Sequence, residues 1–277
     1  MLDTGDPLCM AASLMDMADY LCLAFSDPIL FDQMLEKCAQ IIYPRVEETS
    51  RLLPGRLWRV VGPEYATEPY LPPALFARFV VRWTAPIIRS IQRHGGFARL
   101  HCHGRLKSAL PMIAAMGVDG LDPIEPPPQG DVRLADIRRE YGRDWVLFGN
   151  IEVRDIEMLP PDRFERVVAQ SIREGTAGSG RGFVLMPTAA PIGRTISPQV
   201  LANYRTISAE LEQFDPRLGQ RHEIVAVTKA DLPEAPEAAR RLSEELGRPV
   251  MTISAVTGQG LNQLVAQVAA RLWPPPE

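Results

Sequence analysis

The chain has 277 residues, with 30 Lys and Arg against 34 Asp and Glu and a net charge of −4. That balance offers no basic footprint for nucleic acid, and no apolar run is long enough to span a bilayer. Hydrophobic residues make up 46% and charged residues 23%, a globular composition long enough for one large domain or two ordinary ones. Cys9, Cys22, Cys38 and Cys102 show no C-x-x-C spacing, and Asp3 and Asp6 stand where a signal peptide would be basic. A reduced, cytoplasmic chain is the expectation.

In chain order, residues 9–24 are apolar with Asp16 and Asp19 on one side and read as a helix. Asp27-Pro28 reads as an N-cap with proline at the first helical position. It opens an amphipathic helix to about residue 52, with Leu30, Met34, Leu35, Cys38, Ile41 and Ile42 on one face. Leu57–Val61 reads as a strand ending in Gly62-Pro63-Glu64, and residues 72–92 as a helix kinked at Pro86. Next come the strand Phe97–His103, ended by Gly104, a helix near 105–115, and the strand Gly120–Glu125. A helix over Leu134–Tyr141, the strand Trp145–Asn150, a helix over Asp162–Glu174 and the strand Gly182–Pro187 complete the series. Strands alternating with helices predict a parallel sheet with helical crossovers. Function in such folds collects at the carboxyl ends of strands. There stand Glu64, His101, His103, Asp122, Glu125, Asn150 and Thr188.

His101 and His103 are two apart on one strand, so their side chains project to the same face. Paired imidazoles are half of a transition-metal site. The alternative is two histidines that serve structure, hydrogen-bonded in a polar barrel interior.

Gly62-Pro63-Glu64-Tyr65-Ala66, His101-Cys102-His103-Gly104-Arg105, Gly117 through Glu125, and Gly149-Asn150-Ile151 follow in an order that resembles the uroporphyrinogen decarboxylase superfamily. The resemblance covers roughly residues 9–204 and implies a (β/α)₈ barrel. It also implies one of two activities: cofactor-free porphyrinogen decarboxylation, a lyase reaction of tetrapyrrole biosynthesis, or zinc-dependent methyl transfer serving corrinoid proteins or thiols. The arginine-rich N-terminal motif of the decarboxylases is absent, and Met186-Pro187-Thr188-Ala189 replaces their late Gly-His-Gly. The methyltransferases carry His-x-Cys where this chain has His101 and His103, and a late cysteine where it has Thr188 or Ala189. The implied metal site is therefore His101, His103 and Glu125, a harder donor set than thiolate, with zinc or another divalent metal as cofactor. Asp122 is a fourth ligand or an imidazole partner. Glu64, Asp122 and Asn150 are expected to orient a small-molecule substrate, and Arg105 to meet an anionic group. In the metal-free alternative Arg99 and Arg105 grip carboxylates. Five strands are readable where a closed barrel needs eight. The expected fold is α/β, a partial barrel over residues 1–204 beginning after the third strand–helix unit, with an exposed edge open to homo-oligomer formation.

Residues 205–277 read differently. Ile224–Val227 is a strand leading to Thr228-Lys229-Ala230-Asp231, and Val250–Ile253 a strand leading to Ser254-Ala255-Val256-Thr257-Gly258. With Tyr204 through Leu211, these motifs resemble the guanine-recognition end of the Obg-family GTPase domain. The resemblance implies that Lys229 stacks on the base, Asp231 bonds its exocyclic groups, and Ser254 and Ala255 complete the pocket. No G-x-x-x-x-G-K-[ST] loop occurs, so no phosphate cradle exists and GTP is not expected as a ligand. The expected lobe is two parallel strands with two helices. A guanine-nucleotide module and an inactive fragment stand as alternative readings of the chain.

Overall fold

A computed structural model describes residues 1–189, 198–221, 223–233, 235–254 and 256–272. The chain divides into two compact units, one of Met1–Val153 and Val167–Ala190, the other of Arg154–Arg166 and Pro191–Glu277.

The chain opens with β1 (Leu2–Gly5), then α1 (Pro7–Ala12), α2 (Met17–Ser26) and α3 (Pro28–Leu52). Asp6, Asp16 and Asp27 each accept a backbone N–H three residues on and cap these helices in turn. The single helix expected over residues 9–24 is thus two, because Asp16 starts a new one. β2 (Leu57–Val61) follows, then a 3₁₀ turn over Pro63–Ala66. α4 (Pro73–Phe76) and α5 (Arg82–Arg93) are joined by a π-helical turn at Ala77–Val81, with Pro86 inside α5. Then come β3 (Phe97–His101), α6 (Leu110–Ala115), β4 (Gly120–Asp122), α7 (Leu134–Glu140), β5 (Val146–Ile151), α8 (Val153–Met158), α9 (Pro161–Gly175) and β6 (Phe183–Pro187).

Six strands pair in sequence order, β1 to β6, and all are parallel. All five expected strands are present; β1 is an addition, a four-residue strand whose Asp3 and Thr4 hide it among polar residues. β3 and β4 stop two and three residues short of their expected ends, so His103 and Glu125 stand on loops. Among the described residues β1 and β6 do not pair with each other, and the sheet stays open. The α/β fold is that of a TIM-type barrel with six strands of the eight.

Strand alternation sorts the sheet into two faces. Trp58, Val60, Ala98, Leu100, Leu121 and Leu147 are buried in one apolar core with α1, α3 and α5 residues such as Leu8, Leu35, Phe31 and Ile88. The alternate residues Arg59, Arg99, Asp122 and Phe148 meet on the other face. Burial of the first set drives assembly at about 25 cal/mol per Å² of apolar surface. The second set carries charge into the sheet's concave side.

In the second unit, α10 (Pro198–Phe214) and α11 (Pro216–Gly219) precede β7 (Ala226–Val227), α12 (Ala235–Leu246), β8 (Met251–Thr252) and α13 (Leu261–Leu272). β7 and β8 pair in parallel, Ala226 with Met251 and Val227 with Thr252. They are shorter than the runs Ile224–Val227 and Val250–Ile253 that the sequence suggested.

Candidate functional site

The site is built at the carboxyl ends of β1 to β5. His101 stands in register with Asp122 on the neighbouring strand, and its Nδ1 lies 3.0 Å from Asp122 Oδ2. Two residues on, His103 Nδ1 lies 2.8 Å from Glu125 Oε1. The two rings meet edge to face, with centroids 4.6 Å apart. A carboxylate only accepts, so each imidazole donates from Nδ1. The second oxygen of Glu125 accepts the Gly104 N–H at 3.0 Å. Gly104 has a φ of 97°, and a Cβ there would lie 2.6 Å from Thr67 Oγ1, so glycine is required for this close approach. Thr67 Oγ1 lies 2.8 Å from the His103 carbonyl and ties the loop down.

Asp122 is 1% exposed. It receives Arg99 through both Nε, at 2.8 Å, and Nη2, and Arg59 Nε lies 3.4 Å away. Arg99 also stacks over the Phe148 ring at 4.2 Å. All these contacts fall on Oδ2; Oδ1 is buried without a partner. Burial pushes the Asp122 carboxyl up, but His101 and Arg99 outweigh it and hold the pKa below the ordinary value. Glu125 behaves alike: burial raises it, and His103 and the Gly104 N–H bring it below. For His103, burial favours the neutral ring, but the Glu125 bond and the charges of Glu125, Glu64 and Asp122 prevail and raise the pKa.

Glu64 Oε2 accepts the Gly62 N–H at 2.7 Å. Asn150, at the end of β5, stands in register with Met186, and its Oδ1 is buried without a partner. Arg105 is exposed; its backbone N–H bonds the Glu68 carbonyl at 3.2 Å. The structure thus brings His101 to Asp122 and His103 to Glu125, with Glu64 held by the Gly62 N–H after β2 and Asn150 near the end of β5. Two participants escaped the sequence reading. Arg59 looked like an ordinary strand residue. Asp6 is fully buried and bonded to Thr84 Oγ1 at 2.6 Å and the Cys9 N–H at 2.8 Å. Burial, with some help from Glu64, pushes the Asp6 carboxyl up to about 7 against the lowering effect of those two bonds. Asp6-Pro7, a cap followed by proline, was the signal that could have placed it.

The expected three-ligand metal site does not fit this arrangement. Glu125 has both oxygens engaged, and Asp122 spends one oxygen on two arginines and an imidazole. Cys102 is fully buried among apolar residues. Among the described residues no group of three or more His, Cys, Asp and Glu side chains is placed to hold a metal ion.

In the second unit, Lys229 and Asp231 follow β7 and Ser254 follows β8. The Ser254 hydroxyl donates to Asp231 Oδ1, and the Ala230 N–H bonds the Ile253 carbonyl at 3.0 Å, which locks the two strand ends together. Lys229 takes a positive φ of 57°. Ala255 lies outside the described residues.

Among the described residues no helix is long and apolar enough to cross a membrane. Comparison with known proteins finds a solved methyltransferase from Methanosarcina mazei with a TM-score of 0.56 and 17% identity, covering 76% of this chain and 58% of that one. Such identity speaks for the fold alone. GTPase Obg of Syntrophomonas wolfei is 40% identical over 84 residues, 30% of this chain and 20% of that protein. Obg of Bacillus licheniformis is 44% identical over 77 residues, 27% of this chain and 18% of that protein. The chain spans about a fifth of the length of these curated relatives. The pattern of the family described as Uroporphyrinogen decarboxylase (URO-D) matches residues 4–202, which is most of the chain and contains every residue of the histidine site. The chain belongs to the uroporphyrinogen decarboxylase family.

Proposed function

We propose that the chain acts on a small molecule at the histidine site, and that the reaction is methyl transfer rather than porphyrinogen decarboxylation. One observation carries the choice. Arg59 and Arg99, the two arginines on the concave face, are both committed to Asp122, and Arg105 is exposed on a loop. A porphyrinogen carries several carboxylates and needs several uncommitted cations to hold them. What the mouth offers instead is two imidazole nitrogens backed by carboxylates, suited to taking or giving a proton at a nucleophile. In this reading His101 and His103 move the proton at Nε2, Asp122 and Glu125 hold the rings, and Glu64 and Asn150 orient the substrate. The methyltransferase of like fold supports the reading, and a corrinoid protein is the matching partner class.

The test is incubation of the purified chain with methylcobalamin and a small thiol, followed by absorbance. Loss of the methylcobalamin spectrum, abolished in His103→Ala, is the expected result. No turnover there, together with conversion of uroporphyrinogen seen by chromatography, would reverse the choice.

For the second unit, the Obg similarity and the contact of Asp231 with Ser254 support a guanine-base contact surface. Without a P-loop in this sequence it has no hydrolysis chemistry.

A further inference from the structure

We infer that the second unit binds a small organic anion, a carboxylate or phosphate head on an apolar body, in a cleft at the amino ends of β7 and β8. The cleft has a volume of about 750 Å³, within the range of about 300–1,000 Å³ typical of small-molecule sites. All its lining residues belong to the second unit. Ile224 and Val225 enter it just before β7, Pro249 and Met251 at the start of β8, and Ala270 from the last turn of α13. The Val225 carbonyl accepts the Met251 N–H at 2.9 Å, so the two strand starts make one apolar floor. Lys229, Asp231 and Ser254 come after these strands, so the guanine-contact residues stand at the opposite ends.

Charge selects the head group. Arg221, Arg248 and Arg271 line the cleft against one acid, Glu223. That acid is already matched: its Oε2 accepts the Tyr204 hydroxyl at 2.5 Å and the Arg248 guanidinium. Two cations are left over. Arg271 donates from Nη1 to the Gln267 carbonyl at 3.1 Å, a neutral acceptor that leaves the positive charge unbalanced. Among the described residues the Arg221 side chain makes no hydrogen bond. Asp215, an acid on which Arg221 acts, is held by Arg217, whose Nε lies 3.0 Å from each carboxylate oxygen. Arg221 and Arg271 are both exposed, so they form a cationic rim over an apolar floor. A guanidinium presents paired N–H donors that match two oxygens of a carboxylate or phosphate. A ligand with such a head and a hydrocarbon body satisfies rim and floor together. A cation meets like charge at the rim, and a short polar anion leaves the floor uncovered.

Neither the histidine chemistry nor the guanine contact enters the test, which is ligand-observed NMR on the full chain. The probes are octanoate, octyl phosphate, octylammonium and acetate. Octanoate and octyl phosphate should bind, and the tighter of the two names the head group. Octylammonium, with the same tail and the opposite charge, should bind about tenfold more weakly or worse. Acetate, with the head and no tail, should give no signal. Arg221→Gln and Arg271→Gln should each weaken octanoate by about fivefold, the effect of one exposed ion pair. Together they should remove the preference for octanoate over octylammonium. Ala270→Trp, at an exposed position of α13, should fill the cleft and block both anions, with circular dichroism unchanged. Equal binding of octanoate and octylammonium, silence from both anions, or octanoate binding indifferent to the arginine pair would overturn the inference. So would octanoate bound undiminished by a folded Ala270→Trp. Should that variant fail to fold, the arginine pair decides.

Discussion

Replacing Gly62 by alanine should unsettle the whole rim of the sheet. Gly62 has a φ of 133°, and a Cβ built there lies 1.8 Å from Asp6 Oδ1 and 2.5 Å from Asp6 Cγ. Asp6 has nowhere to go: it is fully buried, caps α1 through the Cys9 N–H and holds Thr84. Expelling it forfeits about 1 kcal/mol of capping and about 1–3 kcal/mol for the Thr84 hydroxyl left buried and unpaired. Backbone strain at the positive φ adds about 1–3 kcal/mol. The total is about 3–7 kcal/mol, a fall in melting temperature of about 6 °C or more for a unit of this size. Gly95→Ala is the control, since its φ is 70° but nothing lies within 4 Å of the new Cβ. Scanning calorimetry of both variants should show a several-fold larger loss for Gly62→Ala. Equal losses would mean that the strain alone matters and that the collision with Asp6 does not.

Four further outcomes follow from the same geometry. His103 has a raised pKa, so its stabilising contribution is full below the unfolded value near 6.5 and fades as pH rises through the folded one. Glu125 has a lowered pKa, so its contribution is full above about 4.5 and fades as pH falls through the folded value. Urea titrations across pH should therefore lose the alkaline slope in Glu125→Gln, and parallel curves for the variant and the parent would refute the pairing. Arg99→Met should destabilise by about 3–5 kcal/mol, because Asp122 stays buried with less compensation; a loss under about 1 kcal/mol in urea titration would show the pair to be peripheral. GTP should bind the chain no more tightly than about millimolar, because base contacts without phosphate contacts leave most of the affinity unmade. Micromolar binding by calorimetry, lost in Asp231→Asn, would refute that.

The strands that could be read from the sequence were those with apolar alternate residues and glycine or proline at their ends. β2 to β6 all have this character, and all were found. β1 was not, because four residues containing Asp3 and Thr4 carry no such pattern and become a strand only by pairing with β2. The nearness of His101 and His103 was legible from strand periodicity alone. Which carboxylate each imidazole faces was not. That depends on the register of β3 against β4, which sets Asp122 opposite His101, and on the loop that brings Glu125 back to the Gly104 N–H. A register is a tertiary fact. So is the use of Arg59 and Arg99 on one oxygen of Asp122, since nothing in Leu57–Val61 marks its middle residue as inward-facing charge.

The unclosed sheet also bears on how the protein behaves in concentrated solution. A bare strand edge is a template for another chain, and proteins blunt it with charge or proline. The two outer strands differ in this respect. β1 presents Asp3, which stays largely in solvent with Arg59 3.6 Å away. β6 ends in Pro187, but along its length it shows Phe183, Val184, Leu185 and Met186, with Val184 41% exposed and no charge among them. Self-association should therefore begin at β6. A lysine at position 184 would defend that edge as Asp3 defends the other.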